Sequence, residues 1–254
     1  KMTINTKTLA AIDIGTNAIR LFISNVEEYP TETLFKKIAF LRVPIRLGED
    51  VFTTGEIGQQ KRKRLCETMQ GFSYIMSAFN VESYKAYATC AMREARNGKS
   101  VAEQIQKECD LNIEIISGTK EAETIFAGGM NEVVDDDKTY LYVDVGGGST
   151  EVIVYSKSVK VEACSFPLGT VRMLNDAVDK EEMKHFKKWL KNITEKYTPD
   201  AIIGSGGNIN KIHKLLNKKE RERITYQELD ILYEYMKSFN LEERERIMKL
   251  NTYR

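Results

Sequence analysis

Two short segments of this chain carry an Asp-x-Gly at the start of a turn of small residues, between apolar runs. The first segment spans residues 13–17 and starts at Asp13, and the second spans residues 144–151 and starts at Asp144. The two aspartates are 131 positions apart, about half of the 254-residue chain. This spacing predicts a duplicated architecture with one acidic turn in each half.

The residue types in these turns favour phosphate binding. Glycine lets a backbone approach a ligand closely, and consecutive N–H groups in a tight turn form a concave anion site. Thr16 and Ser149 can add hydroxyl donors. Asp13 and Asp144 would repel a bare phosphate, so Mg²⁺, which binds carboxylate and phosphate oxygens together, explains their presence. A single Asp-x-Gly is as typical of an ordinary hairpin turn as of a phosphate-binding turn. Two copies at this spacing favour the binding of phosphate with Mg²⁺.

Apolar and β-branched runs around each turn predict strands. In the first half these strands cover 9–14, 19–26, 34–47, 83–88 and 113–116, with helices near 57–79, 101–109 and 118–131. In the second half they cover 139–145, 150–156, 159–166 and 201–203, with helices near 180–197, 209–216 and 226–239. Three consecutive strands followed by alternating helices and strands predict α/β domains with mixed sheets.

The pattern divides the chain into two predicted domains. They cover residues 1–135 and 136–254 and meet at an acidic stretch that begins at Asp135. The second half offers four strand-like runs where the first half offers five. We therefore expect the second domain to be incomplete at its C-terminus, with the chain ending before its natural terminus.

Composition and charge exclude several classes of protein. A formal net charge of +1 is unlike the strongly basic surface of a general nucleic-acid binder. No apolar run approaches the roughly 20 residues that a membrane span needs. The four cysteines lack C-x-x-C spacing, so neither a zinc site nor a disulfide framework is indicated. We expect a cytoplasmic protein without nucleic-acid or membrane partners. The sequence leaves open whether the protein forms a homodimer.

Five motifs in order give the chain a resemblance to a known family. They lie at residues 13–17, 88–95, 116–122, 144–151 and 204–208. Together they resemble the exopolyphosphatase/guanosine pentaphosphate phosphohydrolase (Ppx/GppA) family of the actin-like ATPase superfamily, in a short two-domain form. The resemblance implies two ribonuclease H-like (actin-like) domains that face a central cleft with Mg²⁺. It also implies hydrolysis of the terminal phosphate of inorganic polyphosphate or guanosine pentaphosphate.

The same resemblance assigns roles to individual residues. Glu121 matches the family's catalytic carboxylate, and a glutamate there can accept a proton from an attacking water. Glu151 is the second catalytic acid, and Asp144 and Asp13 are the expected metal ligands. The expected phosphate-binding residues are Thr16, Asn17, Arg93, Gly146, Gly147, Gly148, Ser149, Gly206, Gly207 and Asn208, with Arg172 as a weaker candidate.

Two other functions remain compatible with the sequence. A small-molecule kinase of the same superfamily would use a similar cleft, but it would need an acceptor pocket. A non-catalytic sensor would bind polyphosphate or a guanosine alarmone and signal through a partner. Glu121, Asp144 and Glu151 argue against the sensor, because a pure binder needs no base.

Overall fold

The computed structural model describes residues 5–127, 135, 137–157, 159–219 and 222–248. The chain forms two compact units, Lys1–Glu121 and Ala122–Arg254. The domain boundary expected between residues 135 and 136 stays a prediction. Among the described residues, no helix is both long enough and apolar enough to cross a membrane.

The first unit is built on a five-stranded mixed sheet. Its strands are β1 (Asn5–Ile14), β2 (Ile19–Glu28), β3 (Thr33–Val43), β4 (Ser83–Ala88) and β5 (Glu114–Ile115). Its helices are α1 (Leu47–Thr54), α2 (Gln59–Ala78), α3 (Cys90–Glu94) and α4 (Gly98–Cys109), and α5 (Gly118–Ala127) begins there. The strand order is β3-β2-β1-β4-β5. β1, β2 and β3 pair antiparallel, whereas β4 and β5 run parallel to β1.

One face of this sheet carries the core of the first unit. Leu21 and Ile23 of β2 are fully buried and alternate with Arg20 and Phe22, which are exposed. In α2, Leu65, Met69 and Phe72 recur at the spacing of one helix face and are also buried. These side chains belong to one cluster, so the period-2 strand and the period-3.6 helix pack their apolar sides together.

The second unit contains a four-stranded sheet in the part of the chain that the structure describes. Its strands are β6 (Thr139–Val145), β7 (Thr150–Ser156), β8 (Val159–Phe166) and β9 (Ala201–Ser205). Its helices are α6 (Thr170–Leu174), α7 (Lys180–Tyr197), α8 (Gly206–Leu215), α9 (Tyr226–Lys237) and α10 (Leu241–Met248). β7 is buried on both faces: Val154 packs in a cluster with Ile193 of α7, and Ile153 packs with Ile125 of α5.

The two sheets repeat one topology, which confirms the predicted duplicated α/β architecture. The second sheet has the order β8-β7-β6-β9, which matches β3-β2-β1-β4 of the first sheet in strand order and pairing direction. Among the described residues β9 is an edge strand, and its Ile202 is 68% exposed. The four strands of this sheet agree with the number expected from the sequence.

Some predicted elements are corrected by the structure. The strand expected over 34–47 ends at Val43, because Pro44 has no N–H to donate to a ladder, and α1 begins at Leu47. The short helices α3 and α6 were not predicted, since five residues are too few to display a period. Residues 128–131 of the helix expected over 118–131 lie outside the described residues.

Candidate functional site

The carboxyl ends of three strands gather the candidate residues of the first unit. β1, β4 and β5 are parallel, so they end at the same edge of the sheet. Thr89 N–H donates to the Ile14 carbonyl at 3.2 Å, and Ile116 N–H donates to the Ala88 carbonyl at 3.0 Å. The turn after β1, the start of α3 and the start of α5 therefore lie at one edge.

The turn after β1 is anchored through its carbonyl groups. Gly48 N–H donates to the Thr16 carbonyl at 3.0 Å, and Arg46 N–H donates to the Asn17 carbonyl at 2.9 Å. In a planar trans peptide, the C=O of one residue and the N–H of the next point in opposite directions. The N–H groups of Asn17 and Ala18 therefore point away from the start of α1.

The glycine turn after β6 is anchored in the same way. All three glycine carbonyls accept hydrogen bonds from the first turn of α6. Thr170 N–H donates to Gly146 (3.0 Å), Val171 N–H to Gly147 (2.9 Å) and Arg172 Nε to Gly148 (2.9 Å). By the same peptide geometry, the N–H groups of Gly147, Gly148 and Ser149 point away from α6. Successive N–H groups on one side of a turn are the arrangement that binds anions in proteins.

Two residues of the α6 segment fix the position of this turn. Arg172, the weaker of the phosphate-binding candidates, is only 9% exposed and donates to the Gly148 carbonyl. Its cationic side chain therefore supports the turn through that carbonyl. A Cβ on Gly169 would overlap the backbone of Gly147 and Gly148, so only glycine allows this close approach.

The predicted acidic pair lies beside the glycine turn. Asp144 and Glu151 are directly opposite each other on β6 and β7. Glu151 is 1% exposed and accepts a hydrogen bond from Ser165 Oγ at 2.9 Å. Burial, together with the smaller effect of the Asp144 and Glu151 charges, raises the pKa of the nearby Tyr142 phenol to about 12. Tyr142 is therefore neutral at ordinary pH, next to two carboxylates.

The third predicted loop adjoins the same acidic residue. Gly206 has a φ of +91°, and a Cβ there would come within 2.5 Å of Asp144 Oδ1. α8 begins at Gly206 and contains Gly207 and Asn208 in its first turn. Asn208 Nδ2 donates to the Val145 carbonyl at 3.0 Å, which ties this helix start to the end of β6. The loop thus closes one side of the Asp144 site.

Arg93 and Glu121 come together in the first unit. Glu121 lies in the first turn of α5, where Ser117 Oγ accepts from Lys120 N–H at 3.2 Å. Arg93 Nη1 donates to the Ile116 carbonyl at 2.8 Å and lies 3.6 Å from Glu121 Oε2. The two side chains are 26% and 18% exposed, so both remain within reach of a ligand. The predicted helix-start position of Glu121 is confirmed.

Arg20 is a residue of this edge that the sequence analysis missed. Its Nη1 donates to Asp13 Oδ2 at 2.5 Å, from the opposite position on β2. The signal for it was present in the internal repeat, because Arg20 lies 131 positions before Glu151. The metal-binding role of Asp13 stays a prediction.

The acidic pair of the second unit suits Mg²⁺. The described residues contain no group of three or more His, Cys, Asp or Glu side chains around one point. Mg²⁺ does not need one, since it keeps several waters and binds through one or two carboxylates together with substrate phosphates. Asp144 and Glu151 beside an anion-binding turn supply that donor set, so the residues fit the ion.

The duplicated sheets and their paired acidic turns define a ribonuclease H-like, actin-like fold. Residues 23–254 match the Ppx/GppA phosphatase family, and the chain belongs to this family. A solved Ppx/GppA family member from Aquifex aeolicus is 25% identical, with a TM-score of 0.76 over 98% of this chain and 85% of that chain.

Two curated relatives match more limited regions. The bifunctional 3-dehydroquinate synthase/phosphatase of Fusobacterium nucleatum is 32% identical over 168 residues, which cover 65% of this chain and 25% of that protein. Exopolyphosphatase 2 of Mycobacterium tuberculosis is 28% identical over 170 residues, which cover 65% of this chain and 53% of that protein. The chain thus spans about a quarter of the length of the Fusobacterium nucleatum protein and about half of the length of the Mycobacterium tuberculosis protein.

Proposed function

We propose that this protein is a Mg²⁺-dependent hydrolase that removes the terminal phosphate from inorganic polyphosphate, guanosine pentaphosphate or both. The observation that carries the proposal is the glycine turn beside Asp144 and Glu151. Its carbonyls are held by α6, so its N–H groups face the other way and can receive phosphate oxygens. Family membership and a relative named exopolyphosphatase 2 support the same chemistry.

In this proposal Glu121 is the general base. A water attacks the terminal phosphorus, the bond from that phosphorus to the bridging oxygen breaks, and the water proton passes to the Glu121 carboxylate. Arg93 holds that carboxylate at 3.6 Å and can also bind a phosphate oxygen with its planar guanidinium. Glu151, fixed by Ser165, helps to position the water.

The remaining predicted residues bind phosphate or the cation. Asp144 would hold Mg²⁺, which when bound neutralises charge on the phosphate oxygens. The N–H groups of the two turns receive phosphate oxygens. These turns contain Thr16, Asn17, Gly146, Gly147, Gly148 and Ser149, and the start of α8 with Gly206, Gly207 and Asn208 adds a third group.

Asp144→Asn should raise the Mg²⁺ concentration that gives half-maximal activity by about tenfold or more, because a neutral amide is a poorer ligand for a hard cation. The measurement is phosphate release against Mg²⁺ concentration. Asp200→Asn is the matched control, since Asp200 Oδ2 accepts from Thr139 N–H at the other end of β6 and an amide oxygen can also accept. An unchanged Mg²⁺ requirement in Asp144→Asn would make Asp144 a structural residue.

Arg93→Lys should raise KM by about tenfold despite its conserved charge, because lysine lacks the planar, two-pronged donor. Steady-state kinetics on polyphosphate measure the change. Arg96→Lys is the control: Arg96 lies three residues away but pairs with Glu56 and the Thr54 carbonyl at the surface. A parental KM in Arg93→Lys would contradict phosphate binding by Arg93.

The substrate class is tested by presenting inorganic polyphosphate and guanosine pentaphosphate separately with Mg²⁺ and comparing kcat/KM. Phosphate release without an acceptor supports the hydrolase. Turnover of ATP only in the presence of an acceptor would identify the kinase. Tight binding of either substrate without turnover would identify the sensor.

We also propose a cytoplasmic location. Cys66, Cys90, Cys109 and Cys164 are free thiols. Burial raises the pKa of Cys66 to about 11, which keeps that thiol protonated and unreactive. Free, buried thiols are typical of proteins in reducing compartments.

A further inference from the structure

A single cross-strand row of the second sheet carries the acidic pair. Asp144 on β6 is opposite Glu151 on β7. On the same row, Glu151 is opposite Ser165 of β8, and Asp144 is opposite Ser205 of β9. The row therefore contains two neighbouring carboxylates between two serines, with no cationic side chain.

The equivalent row of the first sheet has a different charge pattern. Asp13 on β1 is opposite Arg20 on β2, and Arg20 is opposite Arg42 on β3. On its other side Asp13 is opposite Tyr87 of β4. The row carries one carboxylate and two guanidinium groups where the second sheet carries two carboxylates.

The turns beside the two rows share two features of their hydrogen bonding. In the first turn Gly15 N–H donates to the Ala18 carbonyl at 3.2 Å, and in the second turn Gly146 N–H donates to the Ser149 carbonyl at 2.9 Å. In each unit, backbone N–H groups at the start of the helix after the third strand donate hydrogen bonds to carbonyls of the turn. Asp13 and Asp144 are 131 residues apart, and their partners Arg20 and Glu151 are also 131 residues apart. Asp13 and Asp144 therefore occupy equivalent positions. Their cross-strand partners, Arg20 and Glu151, carry opposite charges.

We infer that the positively charged guanidinium of Arg20 lies where a divalent cation would bind in the first unit, so that Asp13 binds no cation. The guanidinium lies 2.5 Å from Asp13 Oδ2, and both side chains are less than half exposed. A second positive charge at that carboxylate would meet the Arg20 guanidinium at close range, with Arg42 opposite Arg20 on the next strand. The inference replaces the metal-ligand role expected for Asp13 with the role of anchoring Arg20, and it rests on the proposed cation site at Asp144.

The repeat also implies that this cation position can be opened. Arg20→Glu would give the first row the Asp–Glu pair of the second row, beside a turn of the same construction. Arg20→Gln would remove the guanidinium but add no carboxylate. The first variant should therefore create a cation site, whereas the second should not.

The test counts Mn²⁺, used alone as a probe for Mg²⁺, by titrating the full chain and following free Mn²⁺ by electron paramagnetic resonance. We expect one ion per chain in the parent, two in Arg20→Glu and one in Arg20→Gln. Adding Asp13→Asn to Arg20→Glu should return the count to one. Circular dichroism melting confirms that each variant is folded.

Each outcome decides a separate point. Two ions in the parent, or no gain in a folded Arg20→Glu variant, would overturn the inference. No ion in the parent with one in Arg20→Glu would uphold the role of Arg20 and contradict the proposed cation site at Asp144.

Discussion

Glu121→Gln is expected to lower kcat by about 10²–10⁴-fold, the contribution typical of a positioned general base, with little change in KM. Glutamine keeps the volume of glutamate and its hydrogen-bonding reach, so Arg93 and the start of α5 can stay in place. It lacks the carboxylate that accepts the water proton. Steady-state phosphate release and a direct binding measurement with polyphosphate separate the two effects.

Glu123→Gln is the matched control for this variant. Glu123 is on the same helix, two residues further on, and its carboxylate pairs with Lys160 at 2.5 Å. The same chemical change there should leave kcat close to that of the parent. If Glu121→Gln retained activity within about threefold of the parent, Glu121 would be a helix-start residue without a part in catalysis.

Gly169→Ala is expected to reduce kcat/KM by about 10²-fold, because a displacement of about 1 Å in a positioning group can cost that much. The added Cβ would overlap the backbone of Gly147 and Gly148, and backbone atoms cannot rotate away as a side chain can. The glycine turn must therefore move relative to α6. Kinetics on polyphosphate, together with a thermal melt, measure the effect.

Gly71→Ala provides the control for adding one methyl group. Nothing lies within 4 Å of a Cβ at Gly71, which is inside α2. Alanine there should stabilise the fold by up to about 1 kcal/mol, since glycine is the poorer helix former, and leave the kinetics unchanged. A Gly169→Ala variant with the kinetics of the parent would show that the turn does not depend on this close packing.

Much of the fold could be predicted from local sequence patterns. The bounds of β6, β7, β8 and α7 agree to the residue with those expected from the sequence. The strands are dense in β-branched and aromatic residues, and α7 starts where Asp179 accepts from Glu181 N–H. In contrast, α1 has only eight residues and is separated from the end of β3 by three residues, so its first residue falls inside the apolar run that predicts a strand.

The candidate site could be predicted only where chemistry is carried by a contiguous motif. The two acidic turns and the Glu121 segment are such motifs, and their positions at strand ends and at a helix start agree with expectation. The supporting contacts are different. Arg172 lies 24 residues from Gly148, and Ser165 lies 14 residues from Glu151, so only the folded register brings them together. The sequence places Arg172 among the phosphate-binding candidates but does not show its contact with the Gly148 carbonyl.

Turnover in H₂¹⁸O shows whether water attacks the terminal phosphorus with the help of Glu121. Mass spectrometry of the inorganic phosphate released from polyphosphate in the presence of Mg²⁺ gives the number of solvent oxygens in each molecule. We expect one ¹⁸O per released phosphate in the parent and at least about 10²-fold slower labelling in Glu121→Gln. Released phosphate without ¹⁸O would rule out attack by water on the terminal phosphorus. Labelling at the parental rate in Glu121→Gln would rule out Glu121 as the general base.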